Sequence, residues 1–182
     1  MTKVGFIGTG VMGLPMARNV IKGGFEVTAF DLNPDALQTI RQDGGAIAAN
    51  AREAAEGADM VITMLPNGDH VLQAVFGGHG ALEGMAEGTL LIDMSTILPT
   101  VTDEIAKGLA AEGRRLVDAP VGRTSRHAED GKLLIMAGGD AADVEAARPV
   151  LACMGDSIVH CGPVGSGARV KLINNFMSIA SN

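Results

Sequence analysis

Apolar positions in this chain fall in short unbroken runs rather than in strict alternation. "KVGFIG" (3–8), "EVTAFD" (26–31), "DMVITML" (59–65), "TLLIDMS" (89–95), "RLVDAPV" (115–121), "KLLIMAG" (132–138) and "SIVHC" (157–161) each read as a strand. Strands that are apolar on both faces are expected where helices cover both sides of a parallel sheet. Between the runs, helical spacing predicts helices at "VMGLPMARNVIKGG" (11–24), "NPDALQTIRQDGG" (33–45), and near 68–76, 99–112, 140–152 and 166–182. The second of these has Asn33 as N-cap, Pro34 at the first helical position, and Gly44 and Gly45 at its end. The pattern predicts an α/β protein with a doubly wound, mostly parallel sheet. Residues 118–139, "DAPVGRTSRHAEDGKLLIMAGG", are expected to leave one buried strand, cross an exposed loop, and enter the next.

Composition narrows the class. Apolar residues make up 47% of 182 and charged ones 19%, and 25 are glycine, about twice ordinary usage. That suits one domain with many tight turns. A net charge of −7 without a Lys/Arg cluster argues against a nucleic-acid partner. Cys153 and Cys161 are too few for a disulfide framework and lack metal-ligand spacing, so buried reduced thiols, and no metal, are expected. No apolar stretch reaches 18 residues and "MTKVGFIGTG" is too interrupted for a signal peptide, so a soluble cytoplasmic protein with no membrane partner is expected.

The first chemical motif is "GTGVMG", where Gly8, Gly10 and Gly13 enclose Val11 and Met12 in G-x-G-x-x-G spacing. A strand precedes it, a helix follows, and Asp31 ends the next strand. In that context Gly8 permits the tight turn, Gly10 lets a pyrophosphate approach the backbone, and Gly13 lets the helix pack on the strand. Free N–H groups at the helix start favour the anion. Asp31 would accept from an adenosine ribose and repel a 2′-phosphate, which predicts NAD over NADP.

The second is the polar stripe of Lys171, Asn174, Asn175, Ser178 and Asn182, recurring every three or four residues on an otherwise apolar helix. Periodicity alone is equally met by a solvated face. The stripe has amides and a hydroxyl around a single ammonium, however, which suits proton exchange with a substrate oxygen.

Taken in order, "GFIGTGVMGLPMARNV", "ITMLPNGD", "IDMSTILP", "DAPVGRT" and "GSGARVKLINN" span the chain and resemble the β-hydroxyacid dehydrogenase family, which includes 3-hydroxyisobutyrate, tartronate semialdehyde and 6-phosphogluconate enzymes. The resemblance implies a Rossmann-type domain and NAD-dependent, reversible oxidation of an alcohol on a small acid. It implies that Lys171 is the catalytic lysine and that Asn175 orients it or the substrate. Leu65, Pro66 and Asn67 would lie under the cofactor's ribose, and Ser95 and Thr96 beside the nicotinamide.

The chain departs from the family at Gly122, Arg123 and Thr124, where members acting on carboxylates usually read Ser-Gly-Gly. A guanidinium is a rigid fork of donors suited to an oxyanion group. "PVGRTS" with "RVKLINNFMSIA" resembles the branch that reduces 3-sulfolactaldehyde to 2,3-dihydroxypropane-1-sulfonate, which implies a sulfonate pocket of Arg123, Thr124, Asn174, Asn175 and Ser178. Arg123 as a loop ion-pair partner of Glu129 or Asp130 is the plainer alternative. Arg126 and His127 read as surface residues. Lys171 needs a lowered pKa to work near neutrality, through burial or a nearby cation such as Arg123. A carboxylate semialdehyde is the alternative substrate, and an NAD(H)-sensing module without catalysis the alternative class. Because "FMSIASN" stops in mid-pattern, residues 1–164 are expected to be the NAD-binding domain. Residues 165–182 would then begin a long helix into a further helical domain that also supports a homo-oligomer.

Overall fold

A computed structural model describes residues 1–180. The first βαβ unit is β1 (Lys3–Ile7), α1 (Gly13–Lys22) and β2 (Glu26–Phe30), followed by α2 (Pro34–Gln42) and a short edge strand, β3 (Ala46–Ile47). The chain then runs through α3 (Ala51–Ala55), β4 (Met60–Thr63), α4 (Gly68–Phe76), α5 (Ala81–Gly84), β5 (Leu90–Asp93), α6 (Pro99–Ala111) and β6 (Arg115–Asp118). It ends in β7 (Val121–Gly122), α7 (Ser125–Glu129), β8 (Leu133–Gly138), α8 (Ala141–Leu151), β9 (Gly155–Gly162) and α9 (Ser166–Ala180).

The sheet order is β3-β2-β1-β4-β5-β6-β8-β7, with β9 on the other edge of β8. Pairing is parallel throughout except where β8 runs against β6 and β7. Successive residues of β1, β4, β5 and β6 feed two cores, which explains their unbroken apolar runs. Val4, Phe6, Ile62, Leu90 and Ile92 pack with Met16 and Val20 of α1, Ile40 of α2 and Val144 of α8. Ile7, Val61 and Leu91 point the other way, against Ala54 of α3, Val71 of α4 and Ile105 of α6. Each fully buried side chain of this size contributes ~1.5–3 kcal/mol of hydrophobic free energy.

Register aligns the ends of the central strands. Ile7 pairs Thr63, Thr63 pairs Asp93, Asp93 pairs Asp118, and Asp118 pairs Gly138. From β1 the chain moves to β2 on one side and to β4 on the other, so a topological switch point opens above Ile7, where sheets of this kind bind ligands.

The Asn33 cap is as expected: its side chain accepts from the Asp35 amide, with Pro34 behind it. Three predicted features differ. "RLVDAPV" is not one strand, because Ala119 and Pro120 interrupt it between β6 and β7 and proline has no N–H for the ladder. The 118–139 loop contains β7 and α7, whose single buried residue, Ala128, leaves almost no apolar period to detect. The cysteines are half-buried, not buried, and are unpaired; burial pushes both thiols upward in pKa. Among the described residues no helix is long and apolar enough to cross a membrane.

Candidate functional site

The glycine turn forms the rim of a cavity of about 630 Å³ at the switch point. Gly8 has φ 95°, and a Cβ there would stand 2.4 Å from the Met64 carbonyl oxygen. A Cβ on Gly13 would meet the Gly8 carbonyl oxygen at 1.9 Å, so α1 reaches the turn only with glycine at its start. Around Gly10 nothing lies within 4 Å of a Cβ position, and the residue is exposed to the cavity. Three glycines thus meet three separate demands: turn, helix packing and open approach. α1 has Met12 at its N-cap and no side-chain cap; the Leu14 amide donates to the Gly10 carbonyl at 2.9 Å, and the positive end of the helix dipole lies at the cavity wall formed by Met12 and Gly13.

Asp31 lies on the same cavity. Its Oδ2 accepts from the Thr9 amide and its Oδ1 from the Asn33 amide at 2.8 Å. The carboxylate therefore ties the glycine turn to the end of β2, and each oxygen keeps a lone pair for a ribose hydroxyl. Val11, Met12, Leu65 and Pro66 complete the predicted residues on this wall. Leu32, Asn50 and His79 from loops and His70 from the first turn of α4 also line it and were not anticipated, because none of them belongs to a motif. These features fit a dinucleotide.

Asn67 and Thr96 line a second cavity of about 360 Å³, shared with Leu98, Val101 and Leu172 of α9. Asn67 caps α4 by accepting from the His70 amide at 3.1 Å. Ser95 is buried, and its Oγ accepts from the Leu65 amide at 3.0 Å. It braces the loop after β4 and lines neither cavity.

On α9 the amphipathic sense is reversed. Lys171, Asn174 and Asn175 are half-buried, while Leu172, Ile173, Phe176 and Met177 are exposed, Phe176 by 71%. Lys171, Asn174 and Asn175 of the polar stripe face the body of the domain, so this part of it is not an ordinary solvated face. Ser178 is exposed and its hydroxyl donates to the Asn174 carbonyl at 2.8 Å. Asn182 lies outside the described residues. Burial holds the Lys171 ammonium below the ordinary lysine value, and it is the sole cause; Arg123 is not the cation that lowers it.

Arg123 is exposed and has φ 77°, the left-handed region that favours glycine. Its guanidinium donates to the Lys132 carbonyl and pairs with Asp156 of β9 at 2.7 Å. The ion-pair partner is Asp156, rather than Glu129 or Asp130. Thr124 hydrogen-bonds His127 at 2.9 Å. No hydrogen bond or ion pair joins Arg123 to Lys171, Asn174 or Asn175 among the described residues.

Two acids buried at the ends of β5 and β6 were missed. Asp93 accepts from the Thr63 hydroxyl at 2.9 Å and the Ser95 amide at 3.1 Å. Asp118 accepts from the Gly165 amide at 2.6 Å and the Ala168 amide at 2.8 Å. Burial raises each carboxyl to about 6, against the hydrogen bonds that lower it. The available signal was a lone acid ending each of two apolar runs.

Residues 3–162 match the family described as the NAD binding domain of 6-phosphogluconate dehydrogenase. The chain belongs to this family. Across all 182 residues the domain is 47% identical to 3-sulfolactaldehyde reductase of Escherichia coli (strain K12), and it spans 61% of that protein. It is 41% identical over 176 residues to human mitochondrial 3-hydroxyisobutyrate dehydrogenase, spanning 52% of it. A solved structure of Mycobacterium tuberculosis 3-hydroxyisobutyrate dehydrogenase with L-serine superposes with a TM-score of 0.93 at 38% identity, covering 97% of this chain and 60% of that one. The domain therefore spans about three fifths or less of these relatives.

Proposed function

We propose that this protein is an NAD-dependent oxidoreductase that reduces 3-sulfolactaldehyde to 2,3-dihydroxypropane-1-sulfonate. The observation that carries the reading is Lys171, a half-buried ammonium with lowered pKa on the inward polar face of α9. A weaker base is a better acid, and general acid–base groups work best when their pKa approaches the working pH.

The glycine turn and Asp31 would hold NADH by its pyrophosphate and ribose, and the cofactor would supply the hydride that reduces the aldehyde carbon. Gly8, Gly10, Val11, Met12 and Gly13 hold the pyrophosphate end, and Leu65, Pro66 and Asn67 the loop beneath. Ser95 keeps that loop in place and Thr96 faces the reacting end. Lys171 gives its proton to the oxygen that becomes the alcohol, and takes it back in the reverse direction. Asn175 orients the substrate beside Lys171. Arg123, with Thr124, Asn174 and Ser178, grips the sulfonate, a role supported by its place where carboxylate-using members carry glycine and by the 47% identical reductase.

A carboxylate semialdehyde is the second reading, favoured by the Arg123 guanidinium being engaged by Asp156. Turnover of the whole protein on a matched sulfonate and carboxylate aldehyde pair tests both. The proposal expects at least tenfold higher kcat/KM on the sulfonate. The reverse ratio assigns the carboxylate substrate, and tight NADH binding with turnover of neither assigns a sensing module.

A further inference from the structure

Asp118 has no part in the function proposed above, yet it is among the most constrained polar groups in the domain. It is 1% exposed and sits at the end of β6, in register with Asp93 and Gly138. Its two oxygens accept separate backbone N–H groups, those of Gly165 and Ala168, nearly fifty residues further along the chain. These donors enter and form the first turn of α9, whose opening amides have no partner within the helix. The cap of α9 is therefore a carboxyl from a neighbouring strand.

The space for that carboxyl is built by two glycines. A Cβ on Gly138 would lie 2.5 Å from Asp118 Oδ1, and one on Gly167 would lie 2.9 Å from Oδ2. Neither distance is compatible with a side chain. Lys171 follows Ala168 by three residues, close to one helical turn, so the direction of the first turn determines where the ammonium stands.

We propose that Asp118 is a positioning residue: its carboxyl clamps the first turn of α9 to the C-terminal end of β6 and so sets the place of Lys171. The importance of that place rests on the proton-transfer reading given above, whereas the clamp itself does not. The charged and titratable groups acting on or with Asp118 are Asp93 of β5, Cys161 of β9 and Arg169 of α9. Lys171 is not among them, and its lowered pKa comes from burial alone.

This separation makes the test decisive, because two effects of removing Asp118 have opposite signs. Losing a nearby negative charge by itself lowers a lysine pKa, whereas loosening α9 exposes the ammonium and raises it. The chain has five lysines, so 13C-labelled lysine side chains can be titrated individually by NMR, with Lys171→Arg giving the assignment. In Asp118→Ala the Lys171 midpoint is expected to rise toward the ordinary lysine value. Amide exchange across 164–171 should accelerate tenfold or more. NADH affinity should stay within about twofold, because the glycine turn lies three strands away, ~14 Å at the usual strand spacing.

Asp118→Asn keeps one acceptor and should show a smaller rise in the same direction. It carries the test alone if the alanine variant does not fold. A Lys171 midpoint that is unchanged or lower in the folded variant overturns the proposal, as does a rise accompanied by loss of NADH binding, which reports general loosening. The titration needs no substrate. If Lys171 proves dispensable for turnover, the functional reading fails while the clamp is still decided by its own result.

Discussion

Replacing Arg123 by glycine separates what its backbone costs from what its side chain does. At φ 77° an arginine occupies the left-handed region, at a cost of roughly 1–2 kcal/mol. Glycine removes that cost but loses ~0.5–1 kcal/mol more chain entropy on folding. The ion pair to Asp156 also goes; its side chains are 36% and 48% exposed, and exposed pairs contribute ~0–1 kcal/mol. These amounts nearly cancel, so urea unfolding of Arg123→Gly should differ from the parent by no more than ~1 kcal/mol. Catalysis should respond on another scale. A guanidinium gripping an anion is worth ~1.5–3 kcal/mol, or roughly ten- to a hundredfold in kcat/KM. Initial rates of NADH oxidation by the whole protein should fall by that factor on 3-sulfolactaldehyde and change little on a carboxylate semialdehyde. Arg123→Lys should recover only part, since an ammonium keeps the charge and loses the fork. Equal losses on both substrates would refute the sulfonate grip, and destabilisation beyond ~2 kcal/mol would refute the backbone accounting.

Gly10→Ala should leave the fold intact, since nothing lies near its Cβ position, yet weaken NADH binding at least tenfold, whereas Gly13→Ala should destabilise the domain by its contact with the Gly8 carbonyl. With no Trp or Tyr in the chain, NADH fluorescence reads this directly, and NADH should bind at least tenfold tighter than NADPH, ~1.4 kcal/mol; equal affinities would remove the role given to Asp31. Lys171→Ala should lower kcat of the whole protein by roughly a hundredfold or more with NADH affinity retained, and normal turnover would make the inward stripe of α9 structural only. Stability should fall as pH rises from about 4 to about 6.5, because Asp93 and Asp118, raised to about 6, hold protons in the folded state that the unfolded chain has already released. One carboxyl moved from ~3.9 to about 6 corresponds to ~3 kcal/mol; urea midpoints should show this slope and Asp118→Asn should flatten it, and a slope unchanged by the substitution would rule out Asp118 as a source.

The sequence by itself determined what is local. Gly8, Gly10, Gly13 and Asp31 lie within one βαβ unit, and the demands on them arise from a single strand, turn and helix. Their spacing therefore carried the geometry of the nucleotide cavity. The doubly wound sheet was legible for a similar reason, since strands buried on two faces must be apolar at every position. What only the tertiary structure decided involves partners far apart in the chain. Periodicity found the polar stripe of α9 but could not say which side faces inward, because that depends on β6, β8 and β9, the strands against which the helix lies. Strand register placed Asp93 beside Asp118 and brought Asp118 under a turn nearly fifty residues away. Arg123 was noticed for its chemistry, while its left-handed backbone and its pairing with Asp156 follow from the packing of β7, β8 and β9. Long-range pairing is set by the summed packing of whole elements, and no short stretch of residues records that sum.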